Sequence, residues 1–514
     1  MKKKLQNMPF IIWFLFLYFI ANIFFLTTFP FVHSDEAWLS GLTRNMMDTH
    51  SIYCTETFFD LFPRYPHSIK LLFHLVQMPF VHFGGNSVFS VRLISMFFSV
   101  ATLYIFHKIM VVVLKHPLYA LLSTILLSLN IQFLYASHFA RQEIVVLFFL
   151  MLGLYVYLKP FKSTILLGSI IGLCIGIHPN SFILALLFGF LYLQDWIMRK
   201  KPFKEILLLV LTVSCFASAF ILLSYIGDPN FIAHYSQFGA TFGVDFPMGT
   251  KLLTLDDFYY KLYNSVSGTY YIPQMKYFWI AFLILLLISI GILISKKISP
   301  EIGLKYTLSQ WLISLFAIQL GILIIGRYNT TSILFLIPFF YILLGNILIK
   351  IFKKNKTLLG LFVILIILSF ILSIKEIKPY LPYQYNDYLN EFAKAVPKDS
   401  VVLGNLNTDF YFDNGSLFDY RNLAYLKTND LSFKEYIQKN DIEYIIYYEE
   451  LDYIHKNPRW LILYGDDVYY EDMNDYIKNN CTLIHSFKHT LYGIRIPRYM
   501  MDYEWEISIY KVLQ

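Results

Sequence analysis

The chain predicts a polytopic α-helical membrane protein of about eleven spans followed by a soluble α/β domain. Three observations carry that prediction. Of 514 residues, 57% are hydrophobic and only 15% are Asp, Glu, Lys or Arg, against about a quarter charged in soluble domains. The mean hydropathy is +0.53. Long uncharged runs recur over the first 374 residues, and the composition changes after them.

The first run, 9–32, passes 24 positions without a charge, enough to cross a bilayer. It follows Met-Lys-Lys-Lys, but it is too long for a signal-peptide core and no small-residue cleavage site precedes Asp35. It therefore reads as a retained anchor. Further runs at 88–107, 117–136, 144–158, 163–177, 179–194, 206–226, 277–295, 306–326, 328–349 and 357–374 complete eleven spans. Basic residues orient them. With the N-terminus cytoplasmic, the inner segments hold eighteen Lys and Arg, while the longer outer loops hold eight. An odd span count then places the C-terminal portion outside, in a multi-pass protein of the cytoplasmic membrane.

Two outer loops are large. Loop 33–87 contains helix-like stretches at 36–48 and 67–83. In the second, Lys70, His74 and Gln77 recur at helical spacing, with Leu71, Leu72, Leu75 and Val76 opposite, the pattern of a helix lying in the interface. Loop 227–276 scatters aromatics and glycines and reads as a lid or a connector. The chain thus divides into a membrane domain, 1–374, and a domain at 375–514. The latter holds 22 acidic and 15 basic residues, a net of −7, while the rest of the chain is +14. Strand-like runs at Ser400–Leu403, Tyr444–Tyr448, Thr482–Phe487, Tyr492–Ile496 and Ile507–Val512 alternate with helix-like ones at Tyr385–Ala395 and Phe433–Lys439.

The four cysteines place Cys174 and Cys215 in apolar runs and Cys54 and Cys481 in exposed segments, where the last two could pair. No Cys or His cluster has metal-ligand spacing, so the metal-site expectation is none. No cofactor is called for, although the carboxylates leave a divalent metal open. There is no Gly-rich phosphate loop, dinucleotide fingerprint or internal repeat. A cytoplasmic sugar-nucleotide enzyme or an ATP-driven pump would ordinarily show one of the nucleotide motifs. Nothing marks a nucleic-acid partner.

On this topology, unusual polar residues from several segments meet the outer boundary: Asp35-Glu36, Arg64-Tyr65-Pro66-His67, Arg92, Arg141 with Glu143, His178-Pro179-Asn180, and Arg327-Tyr328. A carboxylate beside a second acid has a tunable proton affinity and can serve as a general base. Asp35, nearer the span end, is the better candidate. The alternative is a solvated cap for the helix that follows. Arg92 lies four residues inside a span, where it can snorkel, hold a phosphate or neutralise the acidic pair. Arg141 is a candidate anion ligand and Glu143 a second acidic site, against the reading that both merely delimit a helix. His178 sits at a tight hairpin, where a hydrogen-bonded turn residue is the simpler account. Arg327 is the lone charge between two apolar runs, and its guanidinium fork suits phosphate.

These residues carry a family resemblance. The order of span, Asp35-Glu36-Ala37, interfacial helix and Phe83-Gly84-Gly85-Asn86-Ser87-Val88-Phe89-Ser90-Val91-Arg92-Leu93 resembles the GT-C membrane glycosyltransferases. The nearest group contains protein O-mannosyltransferases, aminoarabinose transferases and enzymes that modify lipopolysaccharide cores. Ala140-Arg141-Gln142-Glu143, Ile177-His178-Pro179-Asn180 and Arg327-Tyr328 are similar to motifs of that group, and the resemblance covers roughly residues 9–350. Arg64-Tyr65-Pro66 departs from the Lys-Pro or His-Pro-Pro step frequent there.

The resemblance implies an inverting transfer of a hexosyl or pentosyl group from a polyprenyl-phosphate carrier to a glycan, lipid or protein acceptor at the outer leaflet, among membrane lipids. It implies that Asp35, with Glu36 and Glu143 as further acids, orients or deprotonates the acceptor. Arg64, Arg92, Arg141 and Arg327 would hold the lipid phosphate, with His67, His178 and Tyr328 beside them. The chemistry is self-consistent: a phosphate already leaves well, so no general acid is needed. The competing readings are a flippase or transporter of lipid-linked saccharides, a saccharide polymerase or ligase, and a non-catalytic scaffold. A transporter places polar residues near the midplane within repeats, whereas here they gather at one boundary.

Overall fold

The computed structural model describes residues 8–159, 163–241, 243–260, 274–295, 302–326, 328, 330–352, 356–493 and 503–513. The described residues fall into two compact units. One comprises Met1–Phe25, His67–Phe73 and Ile94–Pro379; the other comprises Leu26–Pro66, His74–Leu93 and Tyr380–Gln514. The boundary read from composition, 374/375, put residues 26–93 with the membrane domain. Most of that loop instead clusters with the C-terminal segment, for reasons visible in its hydrogen bonds below.

Each expected span contains a helix. By length and apolarity, six helices qualify as membrane spans among the described residues, or seven if the bent pair Pro117–Ser128 and Ile131–Ser137 is one span. The runs at 9–32, 144–158, 163–177 and 179–194 become shorter apolar helices, Phe10–Ile23, Glu143–Leu158, Thr164–Ile175 and Ser181–Ile197. Phe203–Gly227 leaves Leu207, Leu211, Leu222 and Ile226 exposed, an outward apolar face suited to lipid. Its other side packs on Thr164–Ile175 through a ladder of small residues. A Cβ at Gly168, Gly172 or Gly176 would come within 2.7, 2.4 and 2.4 Å of Thr212, Phe216 and Phe220 respectively. Loop 227–276 begins with helices at Phe231–Ala240, Met248–Leu253 and Leu255–Tyr260.

The second unit contains a five-stranded sheet: β1 (Val402–Gly404), β2 (Leu417–Asp419), β3 (Tyr444–Tyr448), β4 (Cys481–His489) and β5 (Trp505–Val512). Its order is β2-β1-β3-β5-β4, with β2, β1 and β3 parallel and β5 antiparallel to both β3 and β4. Tyr388, Tyr420, Tyr436, Tyr448 and Trp505 are fully buried and fill the core. The helix Phe433–Lys439 is opened by a capping box of Ser432 and Glu435. The expected strand Tyr492–Ile496 does not form over Leu491–Gly493, a bend, and its remainder lies outside the described residues. All four cysteines are free thiols, so Cys54 and Cys481 do not pair.

The two loop helices appear at Ser34–Asp48 and Leu71–Gly84. The polar stripe of the latter is turned inward. His74 and Gln77 are buried, with His74 Nδ1 at 2.9 Å from Thr43 Oγ1 and Gln77 Oε1 accepting from the same hydroxyl at 2.5 Å. Leu75 and Val76 are exposed instead. A buried hydroxyl needing partners decided the rotation of this helix, which side-chain periodicity alone could not reveal.

Candidate functional site

In the second unit the chain enters Ser34–Asp48 through a capping box. His33 Nδ1 accepts from the Asp35 N–H at 3.1 Å, and Glu36 Oε2 accepts from the His33 N–H at 3.0 Å. Asp35 and Glu36 therefore both occupy the first helical turn, where the helix dipole favours negative charge. The cap itself is His33, not Asp35. The two acids then diverge. Glu36 is fully buried, and Arg92 binds it through Nε and Nη2, both at 2.7 Å. Asp35 keeps 29% of its side chain exposed, with Oδ2 at 3.6 Å from His33 Nδ1.

Arg92 spends its remaining donors on main-chain carbonyls: Nη1 on Leu26 and Pro30, each at 2.9 Å, and Nη2 on Phe31 at 3.3 Å. Arg64 does not join Asp35 and Glu36. Its Nε and Nη2 donate to Glu56 at 2.9 and 2.8 Å, and its guanidinium lies over the Trp38 ring at 5.1 Å. Trp38 Nε1 also donates to Glu56, at 2.6 Å. Burial of Glu56 acts to raise its pKa. The Arg64 charge and the hydrogen bonds to the carboxylate outweigh it and hold the carboxyl below its ordinary value. Arg421 approaches Trp38 as well, at 4.8 Å. Trp38 and Glu56 escaped the sequence reading. The only available signal was an acid eight residues before Arg64 in an aromatic-rich loop.

In the first unit, Arg141 Nη2 lies 3.0 Å from Glu143 Oε1, with Glu143 buried at the start of Glu143–Leu158. The Arg141 guanidinium also lies 5.9 Å from the Phe139 ring. His178 Nδ1 accepts from the Asn180 N–H at 3.0 Å, and Asn180 reaches Ser332 Oγ at 3.2 Å, so the hairpin is tied to the 330 segment. The His67 ring stands edge-on to Tyr235 at 5.4 Å. Tyr328 adopts a positive φ of 46° and donates its hydroxyl to the Lys251 carbonyl. Arg327 lies outside the described residues. Lys251 is buried. Among the described residues no three His, Cys, Asp or Glu side chains group as metal ligands.

No family model matches the sequence, and no curated protein does. Solved structures do. ArnT from Cupriavidus metallidurans bound to undecaprenyl phosphate matches over 97% of both chains, with a TM-score of 0.56 at 11% identity. The Archaeoglobus fulgidus oligosaccharyltransferase in its apo form matches over 92% of this chain and 73% of its own, with a TM-score of 0.53 at 10% identity. At such identities the likeness is one of fold, and the chain has the fold of the GT-C membrane glycosyltransferases, to which both belong.

Proposed function

We propose that this chain is an inverting glycosyltransferase that moves a sugar from a polyprenyl-phosphate carrier to a cell-surface acceptor at the outer face of the cytoplasmic membrane. The GT-C fold supports the reaction class, and one of the two structures sharing it holds undecaprenyl phosphate. The observation that carries the reading is the division of labour between adjacent acids: Glu36 is locked by Arg92, while Asp35 remains accessible on the same rigid turn.

In this reading Asp35 accepts the proton of the acceptor nucleophile. The nucleophile attacks the anomeric carbon from the face opposite the phosphate, and the carbon–oxygen bond breaks with its electron pair leaving on the polyprenyl phosphate. The configuration inverts. Glu36 and Arg92 take a framework role, since the Arg92 donors are already engaged. Arg141, Arg327 and Tyr328, together with His67 and His178, are assigned to the donor phosphate. Glu143 sets the Arg141 guanidinium, and Arg64 supports the loop beneath Trp38.

The test is transfer from a synthetic polyprenyl-phosphate sugar in proteoliposomes. Asp35→Asn is expected to remain folded and to lose at least about 100-fold in kcat, the scale of a general base. Wild-type turnover by this variant would overturn the base assignment.

A further inference from the structure

The parallel half of the sheet in the second unit has an unusual occupant at its carboxyl edge. In open α/β sheets that edge is where ligands bind, in the crevice formed by the loops that follow the strands. Here those loops hold the chain's own segment 32–62. After β1, Asn407 Nδ2 donates to the carbonyl of Val32 at 3.3 Å. Two residues on, the Asp409 carboxylate binds the Arg44 guanidinium, and the Asp409 carbonyl accepts from Asn86 Nδ2 at 3.2 Å. At the end of β2, the Asp419 N–H donates to Phe58 O at 3.1 Å. Asn422 Nδ2 donates to that same carbonyl at 2.9 Å, while its Oδ1 accepts from Leu61 N and Phe62 N at 3.3 and 3.1 Å.

The edge itself is fixed from behind. Asn405 N donates to Tyr448 Oη at 3.2 Å and Asn405 Nδ2 to Tyr464 Oη at 2.7 Å, and Leu406 N donates to Asp419 Oδ2 at 3.2 Å. Asn405, Asn407, Asp409, Asp419 and Asn422 are all buried. A set of buried polar side chains is stable only when its members are satisfied together, and here much of that satisfaction comes from the 32–62 segment. Burial pushes the Asp409 carboxyl above its ordinary value against the pull of Arg44, a cost that nothing in an isolated sheet would require.

We propose that the carboxyl edge of β1 and β2 is the seat of the Asp35 helix, and that Asn407 and Asp409 are positioning residues for glycosyl transfer. This rests on the reading of Asp35 as the base. Val32 lies three residues before Asp35, and Arg44 lies on the helix that Asp35 opens. The sheet domain thus fixes both the entry and the middle of that helix, and takes the place a small ligand would occupy.

Asn407→Ala and Asp409→Asn, purified in full-length form and reconstituted, test it by separating kcat from KM. A helix displaced by about 1 Å lowers kcat roughly 10-fold to 100-fold. The apparent KM for the lipid donor is expected to stay within a factor of about 2, because neither residue is assigned to the donor phosphate. Asn422→Ala, which removes the side-chain hydrogen bonds to Phe58, Leu61 and Phe62 and leaves those to Val32 and Arg44, is the comparator and should lower kcat less. If Asn407→Ala melts like the parent and keeps wild-type kcat while Asp35→Asn is inactive, the seat has no positioning role and the inference fails alone. If Asp35→Asn is fully active, the reading of Asp35 fails first. Should Asp409→Asn not fold, Asn407→Ala decides. A rise in donor KM with kcat unchanged also overturns the proposal.

Discussion

Arg92 donates all five of its guanidinium N–H bonds, two of them to Glu36 at 2.7 Å, and both side chains are closed to solvent. A guanidinium has five N–H donors to satisfy. Here three carbonyls between Leu26 and Phe31 and one carboxylate meet them, so a single side chain ties the 26–31 segment to the first turn of Ser34–Asp48. Removing one partner leaves an unpaired buried charge. Arg92→Leu or Glu36→Leu alone is therefore expected to cost about 3–5 kcal/mol. The double substitution should recover part of that loss. Thermal melting of the four proteins in detergent measures it, and additive losses would show that the two side chains do not act as a pair.

Glu56 gives a pH signature. Its folded-state pKa lies below the ordinary 4.5, because the Arg64 charge and the hydrogen bonds from Arg64 and Trp38 override burial. A carboxyl depressed on folding contributes stability that is present above its unfolded pKa and is lost as pH falls through the folded value. Melting temperature should therefore drop on acidification through the carboxylate range. In Glu56→Gln the neutral-pH stability should be lower and this component of the acid slope absent. Parallel acid profiles for the two proteins would refute it.

Much of the architecture was legible because it rests on periodicity and composition. Uncharged runs can only be buried in lipid or protein, and each of the eleven contains a helix, though among the described residues only six or seven are long and apolar enough to cross a membrane. The strand Tyr444–Tyr448 and the helix Phe433–Lys439 appear with the bounds that alternation and capping predict. What failed depended on tertiary partners. β2 is three residues long and shows no alternation to read. The inward turn of His74 and Gln77 needs Thr43, 31 and 34 residues away. At the candidate site, Asp35-Glu36 and Arg92 stood out in the sequence as charge in the wrong place, and the structure joins Glu36 to Arg92. The contrast between a locked Glu36 and an accessible Asp35 was not legible there, because it depends on which acid meets a guanidinium 56 residues later.

Arg327 and Asp35 should separate kinetically. If Arg327 serves the lipid phosphate, Arg327→Ala raises the apparent KM for the donor by about 10-fold or more, the value of a charge-assisted phosphate contact, and changes acceptor KM little. Asp35→Asn should instead lower kcat without a comparable change in donor KM. Initial rates with each substrate varied in turn measure both. An unchanged donor KM in Arg327→Ala would remove it from the donor site.

Lys251 and Gly326 form a joint whose disruption is measurable by stability alone. The Lys251 ammonium is buried and donates to the carbonyls of Val244 at 2.6 Å and Ile324 at 2.7 Å, the latter in the last turn of Ile302–Ile325. A cation suits the carbonyl end of a helix. Its own carbonyl accepts from the Tyr328 hydroxyl. Gly326 has φ of +70°, and a Cβ there would come 2.5 Å from Lys251 Cε. Lys251→Met keeps the stem and removes the donors, so two carbonyls lose their partner at about 1–3 kcal/mol each. Gly326→Ala meets both the left-handed backbone and the lysine stem, at about 1–3 kcal/mol. Because both changes act on one contact, the double variant should lose less than the sum. If Tyr328 serves the donor, each single variant also raises donor KM. Melting curves with donor titrations check both effects. Wild-type melting of Lys251→Met would show that the lysine does not tie the 244–251 segment to the helix end.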